Sequence, residues 1–173
     1  MADSEPDVLL GPFSSPGARA TPWASVSAIL GEAEVFWLST VRPDGRPHVT
    51  PVLAAWTLGG LCFTTGGQER KARNLEHSPR CVLTTGTNAL TGVDVVIEGA
   101  ASVVDRGSER ARALADFERK YGTHLTGPEG AWYGLREAVM ADEVRLYRVE
   151  PIVGFAFGKL PTSSETRYTW PSR

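Results

Sequence analysis

The chain has 173 residues, 42% of them hydrophobic and 22% charged, with a formal net charge of −2, enough for one domain whose core needs neither metal nor disulfide. So balanced a charge exerts no global pull on nucleic acid or an anionic membrane, and any anion must be held by a local cluster. No apolar run approaches the roughly 20 residues of a membrane span and the N-terminus lacks a basic, apolar leader, so the expected location is cytoplasmic.

Residues 1–20 are rich in Pro, Gly, Ser and Asp without periodic apolar positions, which predicts a flexible N-terminal arm preceding one domain over 21–173. Thr21-Pro22 has the form of an N-cap followed by Pro at the first helical position, and Trp23, Val26, Ile29 and Leu30 recur at helical spacing to Glu32. VFWLSTV and PHVTPVLAAW flank Arg42-Pro43-Asp44-Gly45-Arg46 and read as a β-hairpin, with Leu61 to Thr65 as a third strand paired to His48–Val52. Pro51 then interrupts the ladder of a central strand, the kind of gap that leaves backbone groups for a ligand; an edge position or a bulge explains it equally well. Gln68 to His77 reads as a helix, CVLTTG as a fourth strand and VDVVIEGAASVVD as a fifth, with Gly99 marking a bend or bulge.

Ser108 to Tyr121 reads as an amphipathic helix with Ala111, Leu114, Phe117 and Tyr121 on its apolar face and Gly122 as its stop. RLYRV and IVGFAF form a last pair of strands around Pro151. The expected architecture is mainly β: an antiparallel barrel of about six strands, since closure removes exposed edges. Cys62 and Cys81 sit in apolar runs without CxxC spacing and read as reduced core residues. His48, His77 and His124 are too scattered to specify a metal site.

The segment FTTGGQERKARNL carries the chemistry. A strand ends in Thr64-Thr65-Gly66-Gly67 and a helix begins, which offers unpaired N–H groups and close backbone approach to an anion. Arg70 and Lys71 are unfavourable by roughly 0.3–1 kcal/mol each at a helix start, a cost a bound phosphate would reverse. The alternative is a capped turn followed by a solvated basic helix face.

The ordered set FWLSTVRPDGRPHVTPV, LCFTTGG, RKARNLEHSPRCVLTT, the EG-containing strand and YRVEPIVGFAFGK followed by TRY resembles the pyridoxamine 5′-phosphate oxidase-like flavin-binding split-barrel family over about Val35 to Trp170. It is especially similar to the branch that includes users of the deazaflavin coenzyme F-420. The resemblance implies a six-stranded antiparallel split barrel with Greek-key connections and a homodimer with cofactors in the grooves between subunits. By the same resemblance Thr50, Pro51 and Val52 lie against the cofactor ring, and Thr64, Thr65, Arg70 and Lys71 hold its phosphate. Asn74 matches a frequent Asn-Leu of that helix, and Arg167 and Trp170 reach the partner's cofactor. Glu69 departs from members with a basic residue there, and the ending TRYTWPSR departs from the segment with which authentic pyridoxamine phosphate oxidases help bind substrate, which argues against vitamin B6 oxidation.

No Ser/His/Asp, Cys/His or paired-carboxylate spacing stands out, and no catalytic residue is named, as expected when the cofactor supplies the chemistry. Trp37, Trp56, Trp132 and Tyr133 could wall a substrate pocket or simply pack. Three readings follow: an FMN- or F-420-dependent oxidoreductase acting on a small conjugated molecule, a non-catalytic carrier of flavin, deazaflavin or haem, and a phosphate-sensing module.

Overall fold

A computed structural model describes residues 5–171 of the chain. Among the described residues nine strands, β1 (Asp7–Leu10), β2 (Phe36–Val41), β3 (Pro47–Val52), β4 (Ala54–Thr57), β5 (Gly60–Gly66), β6 (Arg80–Thr85), β7 (Val93–Val103), β8 (Val144–Gly158) and β9 (Ser164–Thr169), form one antiparallel sheet. Five helices accompany it: α1 (Trp23–Glu32), α2 (Arg70–His77), α3 (Gly107–Tyr121), α4 (Thr123–Thr126) and α5 (Leu135–Met140).

The order is β1-β9-β8-β7-β6-β2-β3, with β5 also paired to β8 and β4 paired to β5. The circuit closes through one stretch of chain: Pro47–Val52 pairs with β2, and Ala54–Thr57 pairs with β5. Leu53, between them, belongs to neither ladder, so the barrel is split there. This corrects the expected pairing of His48–Val52 with Leu61 to Thr65. β3 ends the sheet path and pairs with β2 alone, so Pro51 occupies an edge strand, where a missing N–H costs little.

Period-two alternation puts Phe36, Leu38 and Thr40 inside and Trp37 and Val41 outside. The barrel interior is filled by Phe36, Leu38, Phe63, Leu83, Ile97, Val149 and Tyr168, each at most 1% exposed, and each fully buried large apolar side chain contributes roughly 1.5–3 kcal/mol. A second cluster joins Leu114, Phe117 and Tyr121 of α3 to Ala55, Cys62 and Leu146 on the barrel wall. Ala111 is exposed and Ala113 buried instead, so the apolar face of α3 is rotated slightly from expectation.

The two strands expected around Pro151 are one 15-residue strand. Continuity is possible because β7 and β8 shift register opposite Glu98/Gly99, pairing Glu98 with Val153 and Gly99 with Pro151. A Cβ on Gly99 would lie 2.2 Å from the Glu150 carbonyl oxygen, so this approach requires glycine.

The first and last strands of the described residues lie side by side in the sheet. β1 pairs with β9, and the Gly11 N–H donates to the Glu165 carbonyl at 2.7 Å. Of the arm expected over 1–20, residues 1–4 lie outside the described residues, and 7–10 are corrected to a strand. That strand buries no face, its four residues all being exposed, and backbone pairing alone holds it. The tail, whose Arg167 and Trp170 are expected to reach the partner's cofactor, is held to this chain by Tyr168, which is fully buried and donates its hydroxyl to the Thr21 carbonyl at 2.5 Å. The N-cap position falls on Pro22 rather than on the expected Thr21, whose N–H donates to Thr166 Oγ1 at 2.9 Å and whose carbonyl accepts from Tyr168.

Candidate functional site

A cavity of about 380 Å³ opens at the split of the barrel, within the size range of small-molecule sites. Its walls come from both sides of the break: Val35, Pro51, Val52 and Leu53 on one, Thr64, Thr65 and Gly66 at the end of β5 on the other, with Glu69 and Lys71 at one end and Trp132, Leu135 and Val144 closing it. The cavity therefore has a long apolar wall and a short polar one.

The polar end is built by the turn from β5 into α2. Glu69 takes the N-cap position with extended backbone, φ −71° and ψ 154°. Its Oε1 accepts a hydrogen bond from the Gly66 N–H at 2.8 Å, and its Oε2 accepts one from Lys71 Nζ. A Cβ on Gly66 would stand 3.3 Å from Glu69 Oε1, and one on Gly67 would stand 3.1 Å from Arg145 Nε, so both glycines admit charged groups close to the backbone. The Lys71 side chain is only 10% exposed. A cation so withdrawn from water needs an anion, and here the anion is the Glu69 carboxylate. Burial raises the carboxyl's pKa, but Lys71, the Gly66 N–H and Thr65 together outweigh burial and hold it below the usual range.

The surroundings are basic. His48 is held below its ordinary pKa by burial, then by Arg42, Lys71 and Arg70, so at neutral pH it sits uncharged in a positive field. Arg145, paired in register with Thr65 on β8, reaches Glu76 at 2.5 Å beside the same turn. Neither Arg42 nor Arg145 was singled out from the sequence. They come from a hairpin turn and a distant strand, and only register brings them here.

Of the residues expected to bind cofactor, Pro51, Val52, Thr64, Thr65 and Lys71 line one cavity. Thr50 lies next to them on β3, outside the lining. Arg70 is exposed at the first position of α2 and contributes only its charge. Asn74 is fully buried beneath the helix and donates from Nδ2 to Thr40 Oγ1 at 2.9 Å, fastening α2 to β2. Arg167 is exposed on β9, opposite Leu9 and Phe155. Trp170 packs edge-on against Trp23 at 5.2 Å, beside Trp56 at 6.2 Å. The fold thus gathers five of the expected residues and leaves Arg167 and Trp170 away from this chain's cavity. Trp132 lines the cavity; Trp56 belongs to the aromatic cluster and Trp37 lies on the outer sheet face.

Among the described residues no group of His, Cys, Asp and Glu is placed to hold a metal. Cys62 and Cys81 are free and buried, and burial pushes both thiols up to about 12, so they are inert core residues. Among the described residues no helix is long and apolar enough to cross a membrane.

Comparison with known proteins gives a consistent picture. The family model described as pyridoxamine 5′-phosphate oxidase matches residues 23–151. A pyridoxine/pyridoxamine 5′-phosphate oxidase of Burkholderia mallei is 29% identical over 138 residues, covering 79% of this chain and 61% of that protein. The chain thus spans less than two thirds of the length of that relative. Among solved structures, a conserved hypothetical protein of Mycobacterium tuberculosis superposes with a TM-score of 0.66 at 22% identity, covering 80% of this chain and 85% of that one. A haem storage protein of Vibrio cholerae gives 0.61 at 22% identity, covering 79% and 93%. At such identities these structures speak to the fold.

Proposed function

The chain belongs to the pyridoxamine 5′-phosphate oxidase family, and from that premise we propose that it is a flavin- or deazaflavin-dependent oxidoreductase that seats the phosphate of FMN or coenzyme F-420 at the start of α2. The observation that carries this reading is the cavity at the barrel split. Its apolar wall of Val35, Pro51, Val52, Leu53 and Trp132 suits a planar conjugated ring, and its polar end already holds an anion on the Gly66 N–H and Lys71. The residues present fit the cofactor.

In this reading Lys71 and the Gly66 N–H bind the phosphate, with Thr64 and Thr65 as hydroxyl partners and Arg70, Arg42 and Arg145 supplying field. Pro51, Val52 and Leu53 orient the ring and exclude water from one of its faces. When bound, a flavin or deazaflavin supplies hydride transfer through its own ring, so no acid or base of the chain is asked to carry the reaction. The substrate is a small conjugated molecule that stacks in the open part of the cavity.

A homodimer completes the site. Trp37, Val41 and Val49 are each about half exposed on the outer face of β2 and β3, with Trp37 opposite Pro51 at the cavity rim. Exposed apolar surface of this extent on adjacent strands calls for a partner, and a second copy placed there reaches the cavity rim.

The test is reconstitution. Purified protein mixed with FMN or F-420 and passed through a sizing column should retain one of the two spectra, and the bound ring should be reduced by a donor and reoxidised by a conjugated acceptor. Retention without turnover would leave a carrier. No retention of either would overturn the reading.

A further inference from the structure

We infer that Glu69 is a built-in competitor for the anion seat, tuning it towards a singly charged phosphate diester and against a doubly charged monoester. The inference rests on the seat assigned above and goes beyond it by giving the charge class the seat accepts. One carboxylate satisfies both principal donors: Oε1 takes the Gly66 N–H at 2.8 Å and Oε2 takes Lys71 Nζ. These are the donors a phosphate needs. Lys71 has no other carboxylate partner among the described residues, and the Glu69 side chain is 52% exposed, so it has room to leave.

An incoming phosphate has two courses. Displacing the carboxylate forfeits both bonds and is equally costly for every phosphate. Sharing the donors with it sets negative charge beside negative charge, and that repulsion grows with the ligand's charge. A phosphate monoester carries close to two negative charges above neutrality, its second pKa being about 6; a diester carries one. FMN ends in a monoester, and F-420 carries its phosphate as a diester, so the two differ in the property Glu69 senses.

The experiment measures dissociation constants for FMN, F-420 and riboflavin, the phosphate-free parent of FMN, on the full chain and on Glu69→Gln and Lys71→Met. Glu69→Gln keeps an acceptor for the Gly66 N–H and removes the charge, and its melting curve verifies that it folds. The expected result is a gain of about tenfold or more in FMN affinity in Glu69→Gln, a clearly smaller gain for F-420, and no change for riboflavin. Equal gains for FMN and F-420, a gain shared by riboflavin, or unchanged or weakened FMN binding would each overturn the inference. If Lys71→Met still weakens FMN and F-420 in those cases, the seat stands and only the role of Glu69 falls. If Lys71→Met changes neither, the seat itself is wrong and the inference falls with it.

Discussion

At the scale of single residues, burial is the first cause that moves the protons of Cys62, Cys81 and Lys120. Cys62 and Cys81 keep their protons to about 12 when folded, against 9.0 in an exposed thiol, because burial penalises the thiolate. The unfolded chain therefore loses these protons first, and the stability they contribute, complete below pH 9, is lost as pH rises from 9 towards 12 by up to about 1.4 kcal/mol per pH unit for each thiol. Lys120 acts in the opposite sense. Burial lowers it to about 8 from 10.5, so between those values the native state binds fewer protons and stability rises with pH. Melting curves of the Cys62→Ala/Cys81→Ala variant should show a shallower alkaline decline than the parent, and those of Lys120→Met a steeper one. At this scale the sequence was partly legible. The thiols read correctly as core, but the burial of Lys71 did not show, because a helix-start lysine looks exposed until the turn that folds over it is known. Glu69 stood out as a departure, yet its two hydrogen bonds depend on the backbone path through Gly66.

Among the elements, the hairpin, α1, α2, α3 and the strand periodicities were legible because alternation, helical spacing and turn chemistry act locally, whereas the short α4 and α5 were not. Pairings were not. PHVTPVLAAW is one apolar run in sequence, and nothing local says that it changes partner at Leu53. β1 escaped notice because a strand that only extends an edge needs no apolar face. Gly99→Ala should cost more than about 2 kcal/mol in denaturant unfolding, since a Cβ there meets the backbone at Glu150 rather than a side chain that can move. Deleting 161–173 removes β9 and the fully buried Tyr168, so it should lower the melting temperature by well over 10 °C, given a loss of about 3–5 kcal/mol for one large aromatic alone. A tail that merely rested on a partner would leave the melting temperature unchanged.

For the whole molecule, the split of the barrel places the cavity and the exposed apolar face of β2 and β3 side by side, Trp37 being in register with Pro51. On the homodimer proposed above, Trp37→Glu should shift the sedimentation coefficient from dimer to monomer and weaken cofactor binding at least several-fold, while leaving the melting curve cooperative. The central claim is that the anion seat holds a cofactor by its phosphate. The most direct measurement is a fluorescence titration of FMN and F-420, each against its phosphate-free parent, on the full chain and on Lys71→Met. The account predicts that at least one binds about tenfold or more tighter than its parent and that Lys71→Met abolishes most of this advantage, as loss of a charge-assisted contact worth about 1.5–3 kcal/mol requires. Parents binding as tightly as their phosphates, or an advantage untouched by Lys71→Met, would contradict it.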